Sequence, residues 1–172
     1  MVMTNTMILL CSIIALLIGA FAAYASWVHR KMIALEREQL KQTESIKLKL
    51  AAYERLALFA ERNKLDNLVH RIGSQGMHAG NTRQLLINSI KDEFDHNVTQ
   101  QLYVNPTIWD AVVRMKDQNI FIINQVGSLI APDAPAVELN KQLLQLLAQD
   151  ENTTMNKVVL DALQFEVKQL IG

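Results

Sequence analysis

The sequence predicts an all-α protein: one N-terminal transmembrane helix, a helical stem, and a compact helical bundle of about four to five helices. Three observations carry that expectation. Residues 7–28 form an uncharged apolar run, the remainder repeats its apolar residues at helical spacing, and no stretch alternates as a half-buried strand would. The chain then divides into a short tail at 1–6, an apolar helix at 7–28, a charged stem at 29–45 and a helical soluble domain at 46–172.

The apolar helix comes first. Met7 to Val28 reads MILLCSIIALLIGAFAAYASWV. At ~1.5 Å per residue it would span about 33 Å, matching a hydrocarbon core of about 30 Å. Tyr24 and Trp27 stand at its C-terminal end, where amphipathic rings favour an interface, and His29, Arg30 and Lys31 follow at once. Every Asp, Glu, Lys and Arg lies after Val28. The positive-inside rule therefore sets the expectation of bilayer contact through residues 7–28 with the C-terminal bulk in the cytoplasm. A cleaved signal peptide is the competing reading, since Ala23-Tyr24-Ala25 imitates an A-x-A site. Its basic residues would precede the apolar run, and here they follow it. A lipoprotein anchor would place a cysteine at the end of the run, whereas Cys11 is near its start. Ala15, Gly19 and Ala23 make a small-residue row that could pack a second helix.

Charge is unevenly spread. Residues 30–71 hold ten Lys/Arg against six Asp/Glu, and residues 72–172 hold seven against eleven. A basic stem precedes an acidic head, and neither is basic enough to bind nucleic acid by its field. Cys11 is the only cysteine, which excludes an intramolecular disulfide and fits a reducing compartment. Residues 31–45 are polar nearly all round, with opposite charges three and four apart around Arg37, Glu38, Lys41 and Glu44, as in a solvated stalk. Gln39, Gln42 and Lys49 interrupt any a/d heptad, which argues against a long coiled coil.

After Ile46 two apolar stripes appear. Ile46, Leu50, Tyr53, Ala57 and Ala60 form one; Leu48, Ala52, Leu56 and Phe59 form the other. Residues 63–67 interrupt the helix, and Asp66 is a candidate cap for a short continuation through Leu68, Val69 and Ile72. Residues 73–81, GSQGMHAGN, read as a loop. A helix over about 82–103 would turn Leu85, Leu86, Ile90, Phe94, Val98 and Leu102 inward. Asn105 caps the next, with Pro106 at its first position, where a missing N–H costs nothing. That helix, about 107–130, is apolar around much of its circumference and is expected to be the most buried. Residues 131–135, APDAP, form a connector. A helix over 136–149 and a last one capped by Asn152 or Thr153 complete the bundle.

No nucleophile elbow, P-loop, dinucleotide fingerprint or zinc motif is present. Glu93 and His96 are three apart on a helix, as in di-iron bundles, but there the pair occurs twice with two further glutamates. Here it occurs once, so a solvated or locally paired face is the better reading, and no metal, cofactor or catalytic residue is expected. Arg55 and Arg62 lie one heptad apart on one helix face, beside Tyr53. Pairing with Glu93 or Asp95 would fasten stem to domain, while a partner-docking surface is the sharper alternative. The candidate interaction surface is Tyr53, Arg55, Arg62, Glu93, His96, Asn97, Gln100 and Gln101.

Tyr53-Glu54-Arg55-Leu56, Glu61-Arg62, Asn67-Leu68, Glu93-Phe94 with His96-Asn97, Gln100-Gln101-Leu102-Tyr103-Val104 and Trp109 together resemble an uncharacterised bacterial family of hypothetical single-span membrane proteins. The resemblance covers about residues 50–172, with Glu93–Trp109 its most specific part. It implies a bacterial inner-membrane location and a cytoplasmic helical domain, and it transfers no activity. The function expected is a membrane-anchored helical interaction module: a scaffold, adaptor or accessory subunit with a protein partner or self-association and no nucleic acid. The alternatives are an enzyme or ligand-binding protein centred on the Glu93–Gln101 helix, and an exported helical protein after signal-peptide cleavage.

Overall fold

The computed structural model describes the backbone of residues 2–73, 75–149 and 155–172, and the side chains of 13–14, 16–73, 75–148 and 155–172. Its elements are α1 (Val2–Arg62), α2 (Leu65–Ile72), α3 (Ala79–Asn97), a 3-10 helix (Val98–Leu102), α4 (Pro106–Ser128), α5 (Ala136–Gln149) and α6 (Met155–Ile171). The described residues contain no strand, only a bridge between His78 and Pro135, so the all-helical expectation holds.

The transmembrane expectation does not. Among the described residues no helix is long and apolar enough to cross a membrane. Residues 7–28 are not an element of their own but part of α1. The side chains of 7–12, Cys11 among them, and of Ala15 lie outside the described residues. The run is not evenly apolar. Its C-terminal half is diluted by Gly19, Ala20, Ala22, Ala23, Ala25 and Ser26.

Two compact units make up the chain, Met1–Ser45 and Ile46–Gly172. In the first, α1 is braced by contacts within itself. Ser26 Oγ donates to the Ala22 carbonyl at 2.7 Å, Arg30 Nε to the Ser26 carbonyl at 3.2 Å, and Lys31 Nζ sits 5.1 Å from the Trp27 ring centre. Such i,i+4 contacts stabilise a helix only modestly.

The second unit has two apolar clusters. One joins Leu65, Leu68 and Val69 of α2 to Leu86, Ile87 and Ile90 of α3, Ile123 and Val126 of α4, and Leu139 and Leu143 of α5. The other joins Ala52, Tyr53, Leu56, Phe59 and Ala60 of α1 to Ile108, Val112 and Met115 of α4 and Val159 and Leu163 of α6. Helix α4 runs through both, which accounts for the breadth of its apolar surface. Between Met115 and Ile123, where it passes from one cluster to the other, stands buried Asn119.

Several boundaries differ from the sequence reading, each for a local reason. Helix α3 starts at Ala79, inside the expected loop, because the 131–135 connector meets its first donors. Ala79 N donates to the Ala134 carbonyl at 2.8 Å and Gly80 N to the Pro132 carbonyl at 2.9 Å. Gly80 suits this approach, since a Cβ there would lie 3.1 Å from the Pro132 oxygen. At the other end α3 tightens into the 3-10 helix at Val98, which rotates Val98 and Leu102 outward; both are exposed rather than inward-facing, as is Leu85. Asp66 does not cap α2. Lys64 holds the N-cap position without a side-chain capping bond, and Asp66 falls in the first turn. Asn105 does cap α4, accepting from Thr107 N at 2.9 Å with Pro106 behind it. The expected cap of α6 at Asn152 or Thr153 lies outside the described residues.

The C-terminus of α1 ends in a buried place, and its free carbonyls need donors. Side-chain amides from three helices and from the break itself supply them. Asn156 of α6 donates to the Ala60 carbonyl at 2.9 Å and Asn67 of α2 to that of Glu61 at 2.9 Å. Asn119 of α4 donates to the Asn63 carbonyl at 2.7 Å, while Asn63 folds back on Phe59 at 2.8 Å. Truncating Asn119 strands a buried carbonyl, a loss of about 1–3 kcal/mol. We therefore expect Asn119→Ala to lower the urea midpoint by an amount in that range at unchanged m. Thr43→Ala on the exposed part of α1 should cost less than about 0.5 kcal/mol in the same assay.

Candidate functional site

Of the polar residues that the sequence singles out, Arg55 and Arg62 of α1 meet the end of α3. Arg62 Nε lies 3.1 Å from Glu93 Oε1, with the two side chains 43% and 22% exposed, so the expected pairing with the acidic helix is formed by Arg62. Arg55 does not reach a carboxylate; its Nη2 donates to the His96 carbonyl at 3.4 Å. Both arginines thus bind α3 from α1, one through a side chain and one through backbone.

The other members fall into two kinds. Asn97 is buried and donates to the Glu93 carbonyl at 2.7 Å, and Gln100 is buried with Nε2 donating to Thr99 Oγ1 at 3.2 Å. Tyr53 is buried too, its hydroxyl donating to Glu166 Oε2 at 3.3 Å. His96 and Gln101 are exposed. His96 Nδ1 lies 2.6 Å from the Asp92 carbonyl, so that nitrogen carries the proton. A shallow cavity of about 400 Å³ touches Glu93 and His96 together with Ile72, Leu85, Asn88, Ser89 and Asp92. Asn97 and Gln100 are not on it, so Glu93, His96, Asn97 and Gln100 do not converge on one pocket. Among the described residues no group of three His, Cys, Asp or Glu side chains comes together as a metal site would require.

The segment from Glu93 to Trp109 has a structural account. The Phe94 and Trp109 rings stack at 5.3 Å, Phe59 lies 6.0 Å from Phe94, and Lys116 Nζ stands 4.5 Å above the Phe94 ring. Asn97 bonds back to Glu93 where the α-helix tightens to 3-10. Its distinctive residues hold α1, α3 and α4 together.

Burial is the largest influence on Tyr53 and raises its hydroxyl above the ordinary 10.0; the Asn105 backbone pulls it down, and the Glu166 carboxylate pushes it further up. Because the folded state holds the proton more tightly, this contribution to stability is complete below the unfolded value. It is lost as pH climbs through and beyond 10.

A second site was not singled out from the sequence. A cavity of about 600 Å³ opens among the C-terminus of α1 and helices α2, α4, α5 and α6. Apolar side chains such as Leu65, Ile122, Leu144, Leu147 and Leu160 line it, with Asn119 and Asn156 among them and Glu61, Lys64, Asp66, Lys157 and Asp161 also in the lining. The missed signal was asparagine on an apolar stripe: Asn119 between Met115 and Ile123, Asn156 one turn before Val159, Asn63 one turn after Phe59.

Fold and site together define an all-α protein with amide side chains set into its core. The chain belongs to a family of unknown function, DUF7935, whose model matches residues 1–170. No curated protein and no solved structure matches it.

Two outcomes follow. A double-mutant cycle on Arg62→Ala and Glu93→Gln should give a coupling of at most about 1 kcal/mol that shrinks in 1 M salt, as for a half-exposed ion pair. Tyr53→Phe should flatten the fall in stability above pH 10 seen in alkaline denaturation of the native chain.

Proposed function

We propose that this protein works by association, as a helical interaction module whose docking element is residues 13–28 of α1 and whose partner is a second copy of the same segment. The observation that carries the reading is the exposed apolar surface there. Ile13, Ile14, Leu16, Leu17, Ile18, Phe21, Tyr24 and Trp27 are each between 47% and 73% exposed. A helix apolar on all sides is stable in water only when something covers it, and contiguous patches of this kind mark interaction sites. Charge supports a like partner. The following stretch mixes Arg30, Lys31, Arg37 and Lys41 with Glu36, Glu38 and Glu44, so it carries its own complement. Gly19 has nothing within 4 Å of where a Cβ would stand, leaving room for a close backbone approach. The reading needs no reaction centre, in keeping with the failure of Glu93, His96, Asn97 and Gln100 to share a pocket.

Size-exclusion chromatography with light scattering on the full chain tests it. The native protein should run as an oligomer that Leu17→Asn with Phe21→Asn converts to monomer at unchanged helicity. A native monomer, binding to a different protein in place of self-association, or uptake by lipid vesicles instead would each overturn the proposal.

A further inference from the structure

We infer that copies of this chain associate in parallel and in register along α1, through a seam that runs from Ile14 to Gln42. The inference rests on the self-association proposed above and adds its direction and register. Ile14, Ile18, Phe21, Ala25, Val28, Met32, Leu35, Gln39 and Gln42 follow one another at alternating spacings of four and three. Those are the a and d positions of a coiled coil. All lie in one unbroken helix within the Met1–Ser45 unit. Their side chains are exposed, apart from half-buried Val28.

The seam leaves the apolar run and enters the charged stretch. There Met32 and Leu35 are 64% and 57% exposed, while Arg30, Arg37, Lys41 and Glu44 all fall on other faces. Leu40, also exposed, lies off the line. Two large apolar side chains kept in line with the preceding run carry the contact beyond Trp27.

The two glutamines set the direction. They interrupt the heptad as an apolar pattern, but an amide both donates and accepts, so one amide satisfies another. In a parallel, in-register pair Gln39 faces Gln39 of the second copy, and Gln42 faces Gln42. In an antiparallel pair, where a faces d, Gln42 falls opposite Ile18 and Gln39 opposite Phe21. The next antiparallel register sets Gln39 against Ile14. Either one buries an amide against hydrocarbon without a partner, which is unfavourable. Polar groups at such positions fix register at a cost in stability. Charge agrees: Lys31 and Glu36 flank the seam at g and e, where opposite signs face one another across a parallel pair.

Disulfide trapping in the full chain tests the direction. Cys11, the only native cysteine, is first removed as Cys11→Ser. Chains carrying Ala25→Cys and Leu35→Cys are then mixed under reducing conditions, left to exchange, and oxidised, and mass spectrometry reads the products. Parallel pairing should give the two homodisulfides in at least tenfold excess over the heterodisulfide, because each position faces itself. With Gln39→Leu and Gln42→Leu added to both chains, the heterodisulfide share should rise about tenfold, since Ala25 and Leu35 face each other in the antiparallel pair. An excess of heterodisulfide, no disulfide at all, or a ratio indifferent to the leucine substitutions would overturn the inference. If light scattering still shows an oligomer in those cases, self-association stands and only its direction is lost. A native monomer removes both.

Discussion

A helix that ends inside a protein leaves carbonyl groups pointing at whatever surrounds it. In this chain the end of α1 is packed among α2, α4 and α6, with Phe59, Ala60 and Asn63 fully buried. Backbone reaches some of those carbonyls, Asn63 N donating to Phe59 and Lys64 N to Glu61, and side-chain amides supply further donors. Asparagine is suited to the task because its amide nitrogen donates while the short side chain loses little freedom on burial. Asn63, Asn67, Asn119 and Asn156 meet carbonyls at the end of α1 and in the turn that follows, and that fixes how three later helices sit against it. The polar layer also marks where one apolar cluster gives way to the other along α4. The arrangement has a residual cost, since Asn63 Oδ1 is sealed without a partner.

The helices were legible because their signals are local. Asn105-Pro106 marks the start of α4 whatever packs around it, and the stripes containing Leu56 and Phe59 or Val159 and Leu163 repeat at helical spacing. What could not be read depended on residues far apart in the chain. Gly80 looks like a loop residue until Pro132 is seen to accept its N–H. Leu102 looks like a core residue until the backbone tightens at Val98. The apolar run was legible as composition, but composition does not fix what a helix is buried against. Among the described residues no helix is long and apolar enough to cross a membrane.

The candidate site was half legible. Charge spacing foresaw that the Arg55–Arg62 face would meet the acidic helix, and Arg62 does so at 3.1 Å from Glu93. It did not foresee that Asn97 and Gln100 would be spent on local backbone and side-chain bonds and buried. Polar text on a helix reads as surface by default, and burial of a polar side chain depends on an acceptor that only the fold brings near. The same limit hid Asn119 and Asn156, whose partners lie 56 and 96 positions away.

The connector at 131–135 does more than join α4 to α5. Pro132 and Ala134 accept from the first turn of α3, Ala136 N donates to the Met77 carbonyl, and His78 Nδ1 lies 2.8 Å from the Asp133 carbonyl. Two segments more than fifty positions apart are therefore meshed like the teeth of a zip, with each bond tied to a particular neighbour on the other side. Adding or removing one residue at 131–135 would throw every later tooth out of step and unseat the starts of α3 and α5 together. Exposed Gly73 and Gly76, between the end of α2 and that meshed segment, have open space where a Cβ would stand, and insertions belong there if the fold is to carry a tag or a label.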